Sequence, residues 1–166
     1  IALVHQGQIG PAGVDLREAL RVPAGCAWDR PAARLRAEDL VFARSGMGSL
    51  LKNRLAVFLE PDAAVVGSFV DLIRLAGLDA VYVMLYLKCE LGWLQIHRLL
   101  NGVALPNVSF DEIRALQVAV APPELQQAAR RRVLEEVHPL RHAEPELAAA
   151  RLKTVAGWLH SELTGR

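Results

Sequence analysis

The Pro122-Pro123 pair divides this chain into two stretches with different hydrophobic periods. Proline lacks the amide hydrogen that a strand or a helix interior needs, so two prolines in succession end a sheet that reaches them. Before the pair, short apolar runs typical of strands are interspersed with segments of helical period. After it, apolar residues recur every three or four positions. The sequence therefore predicts an α/β domain over residues 1–121 and a helical region over residues 122–166.

Four runs in the first stretch predict the strands of a mixed sheet. The first three are rich in β-branched and aromatic residues and are bounded by Gly, Pro or Asp, and the fourth alternates along its length. They are DLVFA (39–43), RLAVFL (54–59), VVGSFVDLIRL (65–75) and QVAVA (117–121).

Two further segments of the first stretch predict helices. GLDAVYVMLYLKCELG has the period of a largely buried helix, which we expect Gly92 to interrupt before WLQIHRLL. NVSFDEIRAL carries a helix start, because Ser109 stands at the cap position and Glu112 follows three residues later as in a capping box.

Two amphipathic helices are predicted beyond Pro123, with Pro139 ending the first and Pro145 in the first turn of the second. Such helices cannot bury their apolar stripes against each other alone, so they need their own domain or a second chain. A helical hairpin on the domain and a coiled-coil-type dimerisation helix both fit. The stripes are Leu125, Ala129, Val133 and Val137, then Ala148, Leu152, Val155, Leu159 and Leu163.

Composition is that of a globular protein, with 52% hydrophobic and 22% charged residues. No apolar run approaches the roughly 20 residues of a membrane-spanning helix, and no leader is recognisable, so we expect a cytoplasmic protein. Cys26 and Cys89 have no metal or disulfide spacing and are expected to be reduced. Net charge is +1, and the basic residues are Arg except at Lys52, Lys88 and Lys153. Phosphate recognition and a GC-rich genome both explain that bias.

Motifs of catalysis are missing from the sequence, which has no GxSxG, HExxH or GxxxxGK[ST] pattern. His138 and His142 have the spacing of a metal pair, but Pro139 between them disrupts the helix that would align them. Carboxylates are not clustered beside a lysine as a nuclease metal site requires. We predict a protein that is not an enzyme and that has no metal and no cofactor.

The order of these signals resembles the target-recognition domain of type I restriction-modification specificity subunits. LRAEDLVFARSGMG is similar to the family's strand and glycine turn, and AVYVMLYLKCELGWLQI to its buried helix. NGVALPNVSFDEIRALQVAVAPPELQQ resembles its glycine turn, capped helix and Pro-Pro strand end, and LKTVAGWLHSELTGR its closing helix. The likeness covers roughly residues 35–166. Glu38-Asp39 and the breaks at Pro139 and Pro145 depart from the family's pattern.

The resemblance implies a sequence-specific reader of double-stranded DNA in a phage-defence restriction system. It would direct a DNA methyltransferase subunit, and with it a restriction (translocase and nuclease) subunit, to a target sequence. A full specificity subunit usually has two such halves, so the resemblance implies a homodimer, half of a longer two-domain chain, or a fusion to a methyltransferase. The alternative is a protein-interaction or dimerisation module of a phage-defence assembly without direct base readout.

Two loops carry the predicted DNA contacts, since glycine permits close backbone approach and Arg, Lys and Asn reach phosphates or base edges. A glycine turn with solvated basic neighbours, or an Asn turn beside a capped helix, explains the same residues without DNA. Gly46 in particular is expected to be conformational. The first set is Arg44, Ser45, Gly46, Gly48, Lys52, Asn53 and Arg54, and the second is His97, Arg98, Asn101 and Asn107. The run Arg130, Arg131 and Arg132 is expected to form a solvated face or a partner contact.

Overall fold

The computed structural model of this chain describes residues 1–100 and 106–166. Within those residues the strands are β1 Ala2–Val4, β2 Ile9–Gly10, β3 Gly13–Val14, β4 Leu20–Arg21, β5 Leu40–Ala43, β6 Leu55–Val57, β7 Ala64–Val66 and β8 Val70–Ile73. The helices are α1 Met47–Leu51, α2 Ala80–Lys88, α3 Glu90–Arg98, α4 Phe110–Arg114, α5 Pro123–Arg132 and α6 Pro145–Thr164. None of the helices in these ranges has both the length and the apolar character required to cross a bilayer.

The strands form two three-stranded sheets and one small hairpin. In the first sheet, β1 pairs antiparallel with β4 and parallel with β7, so this sheet is mixed. In the second, β5 lies between β6 and β8 and pairs antiparallel with both. β2 and β3 make the hairpin. The predicted α/β class with a mixed sheet and a C-terminal helical hairpin is confirmed.

β5 is buried on both faces, which explains why its sequence is apolar without interruption. Side chains alternate across a strand, so Leu40 and Phe42 pack among the helices. Val41 and Ala43 pack on the other face, in a second cluster with the N-terminal strands. The strands predicted over residues 39–43 and 54–59 are confirmed as β5 and β6.

The single strand predicted over residues 65–75 is wrong, because the structure contains β7 and β8 in different sheets. The chain turns between them at Gly67, where a Cβ would lie 2.8 Å from the His5 ring. Phe69 completes the turn in the left-handed region, with φ of 62°. The Gly67-Ser68 pair between two apolar runs was the local signal of this turn, and the single-strand prediction overlooked it.

The break in the buried helix is at Cys89, and not at Gly92 as predicted. Cys89 is extended, with φ −74° and ψ 169°, and separates α2 from α3. Gly92 lies inside α3, where a Cβ would come within 2.3 Å of the Tyr86 carbonyl oxygen and 2.4 Å of Leu87 Cα. Glycine is required there because the two helices meet at a tight corner.

The strand predicted over residues 117–121 is also wrong, since this segment pairs with no strand among the described residues. Helix side chains take the place of a ladder. The Gln95 side-chain Oε1 accepts from Gln117 N at 2.8 Å, and its Nε2 donates to Gln117 O at 2.9 Å. The Tyr82 hydroxyl donates to Ala119 O at 2.6 Å. The alternating pattern reflects an extended backbone that these side chains hold.

The predicted helix start at Ser109 is confirmed. The Glu112 backbone amide donates to Ser109 Oγ at 3.2 Å, and Ser109 N donates to Glu112 Oε2 at 2.7 Å. This reciprocal pair is a capping box, and it begins α4.

The C-terminal stripes are covered by the chain itself. After α5 the helix continues as a π-helical segment, Val133–Val137, and ends in a 3₁₀ turn that contains Pro139. Pro145 then begins α6, as predicted. Both stripes enter the core cluster that contains α2 and β5, so their apolar faces do not call for a second chain.

Arg130 and Arg132 hold the hairpin in place, so the arginine run does more than form a solvated face. Arg130 donates to Asp79 Oδ2 at 2.9 Å and also to the Glu38 carboxylate. Asp79 in turn caps α2 by accepting from Tyr82 N. The Arg132 guanidinium lies 4.3 Å from the centroid of the Trp158 ring. These contacts tie α5 to the start of α2 and to α6.

Candidate nucleic-acid interface

The two predicted recognition loops lie side by side, although they are far apart in the sequence. Ser45 and Asn107 form an isolated antiparallel bridge. Gly46 N donates to Pro106 O at 3.0 Å, and Val108 N donates to Arg44 O at 2.8 Å. The end of β5 is therefore joined through its backbone to the segment that precedes α4.

Arg44 is held by two internal partners. Its Nε lies 3.1 Å from Asp71 Oδ1, and its Nη1 donates to Asn107 Oδ1 at 2.7 Å. Asp71 is only 6% exposed; burial raises the pKa of its carboxyl group, and Arg44 opposes that shift. Arg44 thus links β8 to both loops and has a structural role.

Two exposed aromatic rings flank the Arg44 guanidinium. The centroid of the Phe69 ring is 5.9 Å from Arg44 Cζ, and that of Phe110 is 5.7 Å away. Their exposed fractions are 53% and 58%. Sequence analysis missed both residues. For Phe110 the sequence did contain a signal. It directly follows the Ser109 cap and belongs to no apolar stripe, which indicates an exposed ring.

Gly46-Met47-Gly48 begins a helix and does not form the open turn that the sequence indicated. Gly46 has φ of 85° and precedes α1, whose Ser49 and Leu50 amides donate to Gly46 O. That φ confirms its expected conformational role. Gly48 is exposed in α1, and no atom of residues 1–100 or 106–166 lies within 4 Å of a Cβ built there, so these residues leave its backbone open to a close approach.

The three polar residues after α1 differ in their contacts. Asn53 Nδ2 donates to Leu87 O at 3.0 Å, and Arg54 donates to the carbonyl oxygens of Gln6 and Ile9. Lys52 is exposed and makes no hydrogen bond or ion pair with the described part of the chain. Of the three, Lys52 is therefore the one whose polar group is available.

The second predicted set is partly exposed. His97 and Arg98 are exposed at the end of α3, and the His97 ring packs edge-on against Trp93 with centroids 5.7 Å apart. Asn107 is exposed but its Oδ1 accepts from Arg44. Asn101 lies outside the described residues.

His138 and His142 lie in an ionic network near the break between α5 and α6. His142 Nε2 is 3.6 Å from Glu60 Oε1, and Arg141 Nε donates to the same oxygen at 3.0 Å. Burial lowers the pKa of His138. Residues 1–100 and 106–166 hold no group of three or more His, Cys, Asp or Glu placed to bind a metal ion.

No protein-family model matches this chain, and no curated protein matches it.

Proposed function

We propose that this chain is a sequence-specific double-stranded DNA recognition module of a restriction-modification system. It would act in the cytoplasm, carry out no chemistry itself, and direct a partner DNA methyltransferase and its restriction subunit to their target. One observation carries the proposal. Two exposed phenylalanine rings flank Arg44 at the point where both predicted recognition loops pair through their backbones.

Exposed aromatic rings beside a fixed guanidinium suit contact with bases. Apolar rings pack on thymine methyl groups or wedge between base steps, and a neighbouring cation favours the phosphate-rich surroundings. Phe69 keeps a left-handed backbone that is unfavourable for a bulky residue, while its ring remains in solvent. Folding stability does not explain such a residue, whereas presentation of the ring to a ligand does.

Exposed polar groups around this site supply the remaining contacts. α1 packs against α3, so the end of α1 with Lys52 lies near the helix that carries His97 and Arg98. Lys52 and Arg98 would contact phosphates, and the open backbone at Gly48 would allow the duplex to approach α1 closely.

The alternative, a protein-interaction or dimerisation module of a phage-defence assembly without direct base readout, has less support. Its main support was a pair of apolar stripes without a partner, and these are buried in the chain's own core. A methyltransferase or a second copy would therefore have to bind another surface.

Selection from a pool of randomised duplexes, at two salt concentrations, tests the proposal. We expect the unchanged chain to enrich a sequence motif and Phe110→Ala to enrich none. In Lys52→Ala, the slope of the logarithm of the binding constant against the logarithm of salt concentration should fall by the amount of about one phosphate contact. Leu94→Ala is the matched control for loss of an exposed apolar side chain, and Arg151→Ala for loss of an exposed charge. The alternative would be favoured if the selection enriches no motif and the chain forms a dimer that is also formed by Phe110→Ala.

A further inference from the structure

All three lysines of the chain line the same groove. Lys52 follows α1, Lys88 ends α2, and Lys153 lies on α6, so three separate elements bring them together. The groove has a volume of about 340 Å³ and contains no acidic residue among its lining side chains. Its lining thus combines three lysines with no carboxylate, in a protein whose net charge is +1.

Lys88 forms no ion pair with the part of the chain that the structure describes. It is half-buried, and its Nζ donates one hydrogen bond, to Asn53 O at 3.0 Å. An ammonium group has three donors, and the other two have no partner within residues 1–100 and 106–166. Burial lowers the pKa of Lys88 to about 7, which is the effect of placing a cation where no anion stabilises it.

The other walls of the groove are apolar. Trp93 lies on one side, and Leu152 and Ala156 of α6 on another. Trp93 is half-buried and braced by His97, so its ring is held in place. An indole ring stacks on planar aromatic ligands, and grooves of this size accept small molecules.

We infer that this groove binds a small phosphate-bearing molecule with an aromatic ring, of the nucleoside phosphate class. The phosphate would be held by Lys52, Lys88 and Lys153, and the ring would pack on Trp93. A phosphate supplies the acceptors that Lys88 lacks and neutralises the excess charge. The inference does not rest on DNA recognition, since Phe69 and Phe110 do not line this groove, and Lys52 is shared by the two proposals.

Calorimetric titration of the full chain with AMP, ADP, adenosine and inorganic phosphate tests the inference. We expect AMP and ADP to bind, and adenosine and phosphate alone to bind more weakly, because each lacks one half of the recognition. Lys52→Ala and Lys153→Ala should each weaken AMP binding by about tenfold, the loss of one charge-assisted contact. Both lysines are exposed, so these variants should fold.

Arg151→Ala is the matched control, since it removes an exposed charge from α6 outside the groove. Phe110→Ala should keep full AMP affinity even if it abolishes DNA binding, which separates this inference from the proposed function. The inference is overturned if neither nucleotide binds. It is also overturned if the lysine variants weaken duplex binding and leave AMP binding unchanged, because the groove would then bind the phosphate backbone of DNA.

Amine-directed labelling provides an independent measurement. Every lysine of the chain lines the groove, so a reagent that acylates lysines reports on this site. AMP should protect Lys88 in particular, because a pKa of about 7 leaves much of its amine in the uncharged, reactive form that a bound phosphate would remove. Equal labelling with and without AMP would contradict the inference.

Discussion

Arg44 Nε lies 3.1 Å from Asp71 Oδ1, and this ion pair joins the first predicted recognition loop to β8. The carboxylate is almost fully buried, so the arginine that the sequence marks as the first DNA contact is also a structural residue. Loss of DNA binding in an Arg44 variant would therefore not identify a base contact by itself. Phe110, Phe69 and Lys52 test recognition more cleanly.

Arg44→Ala should lower the free energy of unfolding by about 2 kcal/mol, less than the 3–5 kcal/mol typical of a broken fully buried pair, because the arginine is partly exposed. Urea denaturation measures this change. The double variant with Asp71→Asn should lose less than the sum of the two single variants, since no buried charge is left without its partner. Additive losses would show that the ion pair does not couple these residues.

Phe69→Gly should leave stability unchanged or raise it by about 1 kcal/mol while weakening DNA binding. Glycine adopts a φ of 62° without strain, and the ring that is removed is more than half exposed. Thermal unfolding and a fluorescence anisotropy titration with duplex DNA measure the two effects. A less stable variant with normal DNA affinity would mean that the ring supports the fold.

Gly92→Ala should destabilise the protein by about 2–3 kcal/mol, because the new Cβ would overlap the backbone of Tyr86 and Leu87 and force α2 and α3 apart. Gly48→Ala is the matched control within a helix. Its Cβ meets no described atom within 4 Å, so helix propensity should make it neutral or stabilising by up to about 1 kcal/mol. Equal unfolding midpoints for the two variants would contradict the tight corner at Cys89.

The stability of the protein should rise between pH 7 and about pH 8.5, by on the order of 1 kcal/mol. Burial lowers the pKa of Lys88 from 10.5 to about 7, so in this interval the unfolded chain binds more protons than the folded chain. Raised pKa values of Tyr82, Tyr86 and Cys89 act in the opposite direction, but only at higher pH.

Denaturation midpoints measured across that pH interval test this dependence. Lys88→Met should flatten the rise, since the titrating ammonium is gone. A rise of the same size in Lys88→Met would assign the effect to another group. Saturating AMP should also flatten the rise in the unchanged protein, because a bound phosphate favours charged Lys88.

Features that depend on near neighbours along the chain were predictable from the order of the amino acids. β-branched and aromatic runs bounded by Gly, Pro or Asp identified β5 and β6, and the Ser109–Glu112 pair identified the start of α4. The spacing of Ala148, Leu152 and Val155 identified the buried face of α6. Each of these signals acts over a few residues, where backbone geometry alone sets which side chains meet.

The tertiary fold sets which distant residues meet, because close packing of the core selects one arrangement among many that the local signals allow. It converted a predicted strand into the segment that Gln95 and Tyr82 hold, and moved the helix break from Gly92 to Cys89. It also covered the C-terminal stripes with the chain's own core. The Phe69–Arg44–Phe110 cluster and the three-lysine groove arise in the same way, since each joins elements that no local pattern in the sequence connects.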